Sequence, residues 1–483
     1  MSILKNSLKY SDSRTKIVAT LGPATHSKAI VSKLIYEGVD VFRLNFSHST
    51  REEHLRLINL IKELNLELGT NVSLLADLQG PKLRVGIMEN NGIDLAEGDI
   101  ATFVTQESIG DIDHIYMSYG EFPMDVNLGD QILIDDGKIR LEVIETNRID
   151  TVRARVIYGG PLFSNKGVNL PDTKVSLPCL TEEDISNALF VLEQGVDWIA
   201  LSFVRKASDV RELKDLIQKN KGDAGVIAKI EKPEALLEID QIIDIADGIM
   251  VARGDLGVEV PYDRVPIIQK SIIDKCIAQA KPVIVATQMM ESMIVNSTPT
   301  RAEANDVANA VLDGADALML SGETAIGKYP VETISSMHRI ICYTENQGKP
   351  FDRDCHASEE SDTFLADALC FQATKLAKQV KAKAIVVFTH SGYSAIRLSS
   401  HRPQSKIYTF TSCKKLLHKL SLVWGVMPFY LSAYNEINTA IPESIQILKD
   451  ENLLMEGDCV VHVTTTPLRL HGRMNTVRVS YVQ

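Results

Sequence analysis

The sequence predicts an α/β fold, a (β/α)8 TIM barrel with an inserted small β-barrel lid domain and a C-terminal α/β domain. Three observations support this prediction. Short apolar runs rich in Val, Ile and Ala alternate with helix-like segments, polar residues end most of these runs, and one long interruption has a different hydrophobic period. The alternation is typical of parallel β/α units rather than of a β-sandwich.

Eight apolar runs are predicted to be the barrel strands. They lie near residues 16–22, 39–47, 72–80, 197–204, 225–232, 247–255, 281–289 and 315–323. Eight parallel strands with intervening helices close a (β/α)8 barrel, and active sites of that fold lie at the C-terminal ends of the strands. We therefore assign residues 14–81 and 177–348 to a catalytic barrel, preceded by an N-terminal tail of residues 1–13.

About a hundred residues interrupt the repeat between the third and fourth runs. This segment alternates apolar and polar residues in stretches such as QILIDDGKIRLEVIE and TVRARVIYG, joined at Asp-Gly and Gly-Gly turns. We predict an inserted β domain over residues 82–176 that closes over the barrel mouth as a lid. Residues 349–483 are predicted to form a separate C-terminal α/β domain.

Composition narrows the function classes. The chain has 483 residues, 45% apolar and 24% charged, and a net charge of -12, which argues weakly against nucleic acid as the main partner. An anionic substrate would need a local basic pocket. We expect a cytoplasmic protein without membrane association, because no apolar run is long enough to span a bilayer. The seven cysteines are scattered singly, so we expect neither a disulfide framework nor a zinc site.

Polar side chains end or follow seven of the eight predicted strands. They are Arg43, Asn45, Ser47, Asp77, Ser202, Lys229, Glu231, Asp255, Thr287, Ser321 and Glu323. A buried polar group satisfied within the core would explain any one of them. Seven strands that end alike favour an active site, because buried charge without compensation is costly.

The segment AKIEKPEAL has the most specific chemistry. Lys229 and Glu231 are two residues apart in a strand, so their side chains point the same way. Asp255 lies in a Gly-containing turn that should open a helix, whose free N–H groups hold anions. Glu231 and Asp255 with substrate oxygens would suit Mg²⁺. An internal Lys–Glu salt bridge, with Asp255 as a helix cap, explains the same residues equally well when they are taken alone.

AKIEKPEAL is also similar to the signature of the pyruvate kinase family. Other segments match that family in its order: RLNFSH, GPKLR, GVNLP, SFVRKASDV, VARGDLGVE, ATQMMESM and TRAEANDVANAVLDGADALMLSGETA. The resemblance spans nearly the whole chain and weakens over the C-terminal third. It implies transfer of the phosphoryl group of phosphoenolpyruvate to ADP, giving pyruvate and ATP in the last step of glycolysis, with Mg²⁺ or Mn²⁺ as cofactor.

The resemblance implies residue roles one at a time. Lys229 resembles the lysine that contacts the transferring phosphoryl group and steadies the enolate, and Arg43 the arginine that holds that phosphoryl group. Glu231 and Asp255 resemble the Mg²⁺ ligands. The other matches are Gly254 and Asp255 at the substrate carboxylate, Thr287 beside the carbon to be protonated, Ser321 and Glu323 in a proton relay, and Asn45, Ser47, His48, Arg84 and Lys166 at the nucleotide phosphates. Arg84 and Lys166 could equally be surface cations, Thr287 an ordinary strand residue and His48 a loop residue.

Potassium is predicted to be unnecessary. In family members that need K⁺, its ligands resemble Asn45, Ser47, Asp77 and a threonine, followed by a motif with a glutamate. In DLQGPKLR, Leu78 replaces the threonine and Lys82 stands in the place of the glutamate. A tethered ammonium supplies the charge of the free ion. The alternative is a solvated Lys82, with K⁺ bound through the carbonyl of Leu78.

The C-terminal domain has a possible effector site. Thr389, Ser391, Gly392, Tyr393 and Ser394 follow a predicted strand and precede a helix, where hydroxyls and amides can hold a phosphate. Family relatives bind a sugar-phosphate activator at this position, but a simple helix cap is an equal alternative. The loop near the end of the chain lacks the Gly-rich run of relatives that take fructose bisphosphate, which leaves the effector's identity open. A homotetramer is implied by the resemblance alone.

Two rival functions use many of the same residues. A metal-dependent barrel lyase or aldolase acting through a pyruvate enolate would also place Arg, Glu and Asp at the strand ends, but it would not need Arg84 or Lys166. A non-catalytic sensor of sugar phosphates or nucleotides would not need the complete charged set.

Overall fold

The computed structural model describes residues 13–354, 359, 361–432, 436–466 and 474–483. The tail predicted for residues 1–13 lies outside the described residues except for Ser13. The first part of the barrel contains strands β1 (Lys16–Thr20), β2 (Val41–Asn45) and β3 (Ser73–Asp77), helices α1 (Lys28–Tyr36) and α2 (Arg51–Leu68), and a 3-10 helix at Pro23–Thr25.

The segment between β3 and the next barrel strand forms two antiparallel-rich sheets. Its elements are a 3-10 helix at Glu89–Asn91, β4 (Gly92–Leu95), β5 (Ile100–Val104), β6 (Ile115–Tyr116), α3 (Phe122–Asp125), β7 (Gln131–Ile134), β8 (Ile139–Thr146), β9 (Thr151–Tyr158), β10 (Gly160–Phe163) and β11 (Val168–Asn169). One sheet has the order β11-β7-β8-β9-β5-β6 and the other pairs β10 with β4. The segment has its own apolar core, which includes Phe103, Phe122 and Leu141. We call it the lid.

The rest of the barrel follows the lid. Its elements are α4 (Glu182–Glu193), β12 (Trp198–Leu201), α5 (Ala207–Lys219), β13 (Gly225–Ile230), α6 (Pro233–Leu237), α7 (Ile239–Ile245), β14 (Gly248–Ala252), α8 (Arg253–Glu259), α9 (Val265–Ala278), β15 (Val283–Ala286), a 3-10 helix at Glu291–Ile294, α10 (Arg301–Asp313), β16 (Ala317–Leu320), α11 (Gly322–Ala325) and α12 (Pro330–Gly348). The barrel closes in the order β1-β16-β15-β14-β13-β12-β3-β2. All eight predicted strands are confirmed.

Local sequence signals set the ends of the barrel helices. Thr50, Thr181 and Thr300 precede α2, α4 and α10, and each side chain accepts a hydrogen bond from the backbone N–H three residues later. Such caps stabilise a helix by about 1 kcal/mol each. Gly69 and Gly314 end α2 and α10 with φ of 64° and 97°, a left-handed conformation that glycine adopts without steric strain. These residues set where the helices begin and end, and so where the chain turns towards the neighbouring strands.

The barrel interior is filled by side chains rather than open. A buried cluster inside the strands includes Val18, Leu75, Ile227 and Met250, and Leu422 from the C-terminal domain joins it. A larger cluster packs the helices around the outside of the strands. Because the strands are buried on both faces, their sequences are nearly continuous apolar runs, which explains why the pattern is visible in the sequence. The polar strand ends are the exception to this pattern.

The C-terminal domain is a five-stranded sheet with helices. Its elements are α13 (Phe364–Gln379), β17 (Ala384–Phe388), α14 (Tyr393–Ser400), β18 (Lys406–Thr411), α15 (Lys414–Leu420), β19 (Val426–Tyr430), α16 (Ile437–Asp450), β20 (Cys459–Thr464) and β21 (Thr476–Tyr481). The sheet order is β19-β18-β17-β20-β21, and only β21 is antiparallel to its neighbour. Of the loop before β21, residues 467–473 lie outside the described residues. The predicted α/β class of this domain is confirmed.

A buried ion pair joins this domain to the barrel. Arg402 donates to the carbonyl of Gly314 and to Asp316 Oδ2, both at 2.8 Å. The other carboxylate oxygen of Asp316 accepts the N–H of Trp424 at 3.2 Å. The guanidinium also lies 5.0 Å from the Trp424 ring, a cation–π contact. Since Asp316 directly precedes β16, the junction fixes the C-terminal domain to the start of a barrel strand.

Two compositional expectations can be compared with the structure. Within the described part of the chain, no helix is both long and apolar enough to cross a membrane. The six cysteines in the described ranges are all free: Cys179, Cys276, Cys342, Cys370, Cys413 and Cys459.

His401 makes the C-terminal domain sensitive to acid. It directly follows α14 and is 2% exposed. Burial and the charge of Arg397 lower the pKa of His401 from its ordinary value of 6.5 to about 4. The unfolded chain therefore binds a proton that the folded protein excludes between these two values. Its contribution to stability is complete above the unfolded pKa and is lost as the pH falls toward 4.

We predict that His401→Leu reduces the acid sensitivity of folding. At about pH 5 the protonation linkage of this one residue costs the parent about 2 kcal/mol, which the leucine variant does not lose. The measurement is urea unfolding at neutral pH and at about pH 5, followed by the fluorescence of the two tryptophans, Trp198 and Trp424. An equal loss of stability on acidification in parent and variant would contradict the prediction.

Candidate active site

Four buried charged residues meet at the C-terminal ends of β2, β3 and β13. Arg43, Asp77, Lys229 and Glu231 are 9%, 1%, 9% and 1% exposed. Arg43 Nε lies 2.6 Å from Asp77 Oδ2, and Lys229 Nζ lies 3.2 Å from Asp77 Oδ1 and 2.9 Å from Glu231 Oε1. The predicted same-side placement of Lys229 and Glu231 is therefore present. We call these four residues the charge cluster.

The charges in this cluster balance one another. Burial alone would raise the pKa of Asp77, but Lys229 and Arg43 outweigh burial and lower it. Burial would likewise lower the pKa of Lys229, but Asp77 and Glu231 raise it above its ordinary value. The lysine is thus held as a cation in a site from which most water is excluded. A fixed cation in such a site acts strongly on any negative charge that develops beside it.

Two hydroxyl groups orient the cations. Ser202 Oγ accepts a hydrogen bond from Lys229 Nζ at 2.7 Å and donates to the carbonyl of Leu78 at 2.7 Å. Thr20 Oγ1 accepts from Arg43 Nη1 at 3.0 Å and donates to the carbonyl of Leu320 at 2.8 Å. In the sequence, Ser202 is one of the polar strand ends but has no predicted role, and Thr20 is not among the predicted residues. The available signal was position, because Thr20 is the last residue of β1.

Glu231 is oriented by the backbone after β12. Its Oε2 accepts the N–H of Phe203 at 2.8 Å, and Phe203 has a φ of 55°. A bulky residue with positive φ is strained, a feature that clusters at functional sites. Burial and the nearby charge of Asp255 raise the pKa of Glu231, against the lowering effect of Lys229. Two carboxylates that repel each other in this way are suited to share a divalent cation.

The residues fit a hard divalent metal. Glu231 and Asp255 supply carboxylate oxygens, the ligands that Mg²⁺ prefers, and Mg²⁺ needs only one or two of them beside substrate oxygens and water. In the described ranges, no group of three or more His, Cys, Asp or Glu could hold a metal by itself. A metal bound here would therefore take its remaining ligands from substrate oxygens and water.

Helix α8 begins immediately after β14 and carries Gly254 and Asp255 in its first turn. The backbone N–H of Gly254 donates to Thr287 Oγ1 at 2.7 Å. Thr287 and Gln288 have φ of 68° and 54°, two consecutive strained residues. The side chain of Arg253 braces this turn, because it donates to the carbonyl of Thr287 at 2.7 Å. It is anchored in turn by Asp306 of α10 at 2.8 Å.

The two predicted relay residues lie at the end of β16. Glu323 is buried, and its oxygens accept the N–H of Ser321 at 2.7 Å and the N–H of Met290 at 3.1 Å. The Thr287 hydroxyl instead donates to the carbonyl of Ala286 at 2.6 Å. Glu323 therefore ties the Thr287 turn to β16 through Met290, rather than through a direct contact with the threonine.

The predicted nucleotide residues lie on both sides of the cleft. On the barrel side, Asn45 Oδ1 accepts the N–H of Ser47 at 3.1 Å, and His48 follows in the exposed loop. Partial burial lowers the pKa of His48, and the charges of Lys82, Arg84 and Arg43 lower it further. This side of the barrel mouth is therefore a local basic region, as an anionic substrate of an acidic protein requires.

On the lid side, the two predicted cations are tied into the β structure. Lys166 Nζ lies 2.8 Å from Asp135 Oδ1, and Arg84 donates to the carbonyl of Asn165 at 3.0 Å. Arg84 also pairs through its backbone with Gly167. The two cations are thus close in space although 82 positions separate them in the sequence, because Arg84 contacts Asn165 and Gly167, the two neighbours of Lys166.

The candidate effector residues surround the start of α14. The N–H of Gly392, which has a φ of 86°, donates to Thr389 Oγ1 at 2.9 Å, and the N–H of Tyr393 lies 3.4 Å from Ser391 Oγ. The Tyr393 hydroxyl donates to the buried Asp367 at 2.5 Å, while Ser394 lies in the first turn of the helix. The hydroxyl groups of Thr389 and Ser391 are therefore engaged with backbone N–H groups of their own turn.

The sequence is similar to pyruvate kinases along nearly its whole length. The family model for the pyruvate kinase barrel domain matches residues 12–334, and the model for the pyruvate kinase alpha/beta domain matches residues 367–480. A pyruvate kinase from Agrobacterium vitis is 43% identical over 473 residues, which are 97% of this chain and 98% of that protein. A pyruvate kinase from Geobacillus stearothermophilus is 42% identical over 474 residues, 97% of this chain and 80% of that protein.

A solved structure is similar over the whole fold. The crystal structure of a pyruvate kinase from Cryptosporidium parvum superposes with a TM-score of 0.91 at 31% identity, covering 99% of this chain and 97% of that one.

We predict that Asp77→Asn destabilises the protein strongly. The substitution removes the shared anion and leaves Arg43 poorly compensated, which should cost about 3–5 kcal/mol of the free energy of unfolding. Glu145→Gln, which breaks the exposed pair with Arg153, is the control and should cost under about 1 kcal/mol. Denaturant unfolding of the three proteins is the measurement. Equal stability of the two variants would contradict the buried-cluster interpretation.

Proposed function

The chain belongs to the pyruvate kinase family, and we propose that the charge cluster is the centre at which it carries out that family's reaction. The enzyme transfers the phosphoryl group of phosphoenolpyruvate to ADP, giving pyruvate and ATP in the last step of glycolysis. The observation that carries the assignment is the Lys229 ammonium, held between Asp77, Glu231 and Ser202 at the barrel mouth. Lys229 pairs with Glu231 and also lies within the field of Asp255, so the fixed cation stands beside both carboxylates that suit a metal.

Arg43 is proposed to receive the phosphoryl group of phosphoenolpyruvate. Its Nε–H group donates to Asp77 and an N–H group on Nη1 donates to Thr20, so the guanidinium plane is fixed before substrate binds. The remaining N–H groups form a planar fork suited to phosphoryl oxygens. Gly254 and Asp255, at the N-terminus of α8, are proposed to receive the carboxylate through backbone N–H groups. Together these contacts place the phosphorus atom next to Lys229.

Members of the family depend on a divalent metal, and we assign Mg²⁺ or Mn²⁺ to Glu231 and Asp255. When bound, the metal withdraws charge from the phosphoryl and enolate oxygens. Glu231 is held in position for this role by the N–H of Phe203. Lys229 adds a second positive charge on the same side, which steadies the negative charge as it moves off the phosphorus atom.

The chemistry requires one bond exchange and one proton. A terminal phosphate oxygen of ADP attacks phosphorus, the bond from phosphorus to the enolate oxygen breaks, and the enolate then takes a proton at its methylene carbon to give pyruvate. Thr287 is the proposed group beside that carbon, with Ser321 and Glu323 behind it. The strained Thr287–Gln288 turn, braced by Arg253, would fix the hydroxyl in position.

The nucleotide is proposed to bind between the barrel and the lid. Asn45, Ser47 and His48 line the barrel side, while Arg84 and Lys166 reach from the lid. The basic environment of His48 supports this assignment, because three cations close to one loop create an anion site.

Lys229→Met is predicted to abolish ATP formation while leaving Mg²⁺ binding largely intact, because the charge of the lysine acts mainly in the transition state. Coupled assay of ATP formation and calorimetric titration with Mg²⁺ are the measurements. Lys28→Met, on the outside of α1, is the matched control and should keep parent turnover. Turnover of Lys229→Met within about tenfold of the parent would remove the role assigned to Lys229.

Potassium is proposed to be replaced by Lys82. The residues at the family's K⁺ position are Asn45, Ser47 and Asp77, and Leu78 offers no hydroxyl there. Support comes from position: the exposed side chain of Lys82 lines the same cleft as Asp255, and its charge lowers the pKa of His48, three residues beyond Asn45. If the Lys82 ammonium reaches within about 5 Å of the pocket, it would repel a bound K⁺ by roughly 3 kcal/mol at an effective dielectric near 20.

We predict full activity without potassium in the parent. Lys82→Glu should lose activity in the absence of K⁺ and regain it with KCl, because the carboxylate restores a need for a mobile cation. Lys33→Glu reverses an exposed charge on α1 and is the control. The measurement is steady-state kinetics at saturating Mg²⁺, with ionic strength held by a bulky organic cation. Activation of the parent by KCl of about tenfold or more would overturn the prediction.

Regulation and assembly are further proposals. The turn over Thr389–Ser394 is proposed to receive the phosphate of a sugar or nucleotide effector, which would replace the hydrogen bonds that Thr389 and Ser391 make within the turn. Exposed apolar side chains on the barrel, including Tyr262, Ile267 and Leu237, are consistent with burial against other subunits of a homotetramer. We expect the enzyme in the cytoplasm.

A further inference from the structure

We propose that Glu259 is a positioning residue that latches the lid onto α8, so that lid closure and the substrate-binding turn of α8 move together. Glu259 is the last residue of α8, and Gly254 and Asp255 lie in the first turn of the same helix. The proposal rests on the proposed function, because it assigns α8 to phosphoenolpyruvate and the lid to the nucleotide.

The latch is a contact between residues 90 positions apart. Asn169 Nδ2, in lid strand β11, donates to Glu259 Oε1 at 2.8 Å. Lys232 Nζ, one residue after the metal-ligand candidate Glu231, lies 2.6 Å from the same oxygen. Glu259 is 6% exposed, so the contact is made in a place where water competes weakly.

The charge pattern at the latch explains why the lid side can be released. Lys232 compensates the carboxylate from within the barrel, whereas the lid contributes only a neutral amide. In the described ranges, Glu259 Oε2 is buried without a hydrogen-bond partner, so the carboxylate is incompletely satisfied even with the lid in place. Release of Asn169 therefore separates no ion pair. It does remove one of the few hydrogen-bond donors to a buried carboxylate, which costs free energy.

Two further contacts define how the lid is held. At the hinge, Arg205 donates to the carbonyls of Val175 and Leu177 at 2.5 and 2.6 Å, which fixes the segment returning from the lid to the barrel. Beside the latch, a Cβ added at Gly137 would lie 3.9 Å from Val258 Cγ1, so the tip of a lid hairpin lies over α8. The lid is thus fixed at its hinge by Arg205 and meets α8 at Val258 and Glu259.

Helix α8 connects the latch to the chemistry over two turns. Its last residue contacts the lid through Asn169, while its first residue, Arg253, braces the strained Thr287 turn. In β11, Asn169 lies three residues after Lys166, the proposed nucleotide contact. When the lid is bound to Glu259, the distance between Lys166 and the backbone N–H of Gly254 is therefore fixed.

The test exchanges donor and acceptor across the latch. Asn169→Asp has nearly the same shape, but it removes the donor and sets a carboxylate against Glu259. We expect the KM for ADP to rise by about tenfold or more, with a smaller change in kcat. Adding Glu259→Gln should restore the KM, because the glutamine amide can donate to the introduced carboxylate. That carboxylate would also replace Glu259 as the ion-pair partner of Lys232. Arg153→Gln, which breaks an exposed lid pair with Glu145, is the control and should change neither constant.

Hydrogen–deuterium exchange provides a readout that does not need activity. Peptides covering β11 should exchange faster in Asn169→Asp and return to the parent rate in the double variant, since an unseated strand opens more often. Parent-like exchange and KM in Asn169→Asp would overturn the latch, as would a double variant no better than the single one. A parent that makes no ATP from phosphoenolpyruvate would overturn the proposed function alone, because the exchange rates would still report on the latch.

Discussion

The placement of two cations and two anions in the buried mouth of the barrel is the constraint on which the site depends. Arg43 and Lys229 share Asp77, and Lys229 also pairs with Glu231. None of these charges would be tolerated alone at this depth. Lys229 and Arg43 keep Asp77 ionised, Asp77 and Glu231 keep Lys229 ionised, and the contacts among the four residues fix their positions. The strands bring them together, because the side chains at the C-terminal ends of β2, β3 and β13 point into one small volume. Substrate phosphoryl and carboxylate groups then meet charges that are already in position.

Strain and coupling extend outward from this cluster. Phe203, Thr287 and Gln288 all have positive φ, and each lies beside a residue assigned to substrate or metal. The hydrogen bonds of Glu231, Arg253 and Glu323 offset that strain and fix the turns. Helix α8 extends this network of contacts to the lid, because its last residue, Glu259, accepts a hydrogen bond from Asn169. The active site is therefore one continuous set of contacts from barrel strand to lid strand, rather than a group of independent side chains.

The sequence predicts much of this arrangement, and its omissions have physical reasons. The eight strands are visible because they are buried on both faces and so form apolar runs, and the charged residues are visible because they interrupt those runs. Thr20 was missed because a threonine at a strand end is also an ordinary strand residue. The Asn169–Glu259 contact joins positions 90 apart, and no local pattern reports such a pairing. Likewise, the positive φ of Thr287 comes from its contacts with the surrounding barrel, not from a turn-forming sequence.

Product stoichiometry is the most direct test of whether the charge cluster moves a phosphoryl group between two bound substrates. Purified protein would be given phosphoenolpyruvate and ADP with Mg²⁺, and pyruvate, ATP and inorganic phosphate would be measured together. Direct phosphoryl transfer predicts one ATP for each pyruvate and no pyruvate when ADP is omitted. Pyruvate released with inorganic phosphate instead of ATP, or substrate binding without any product, would contradict it.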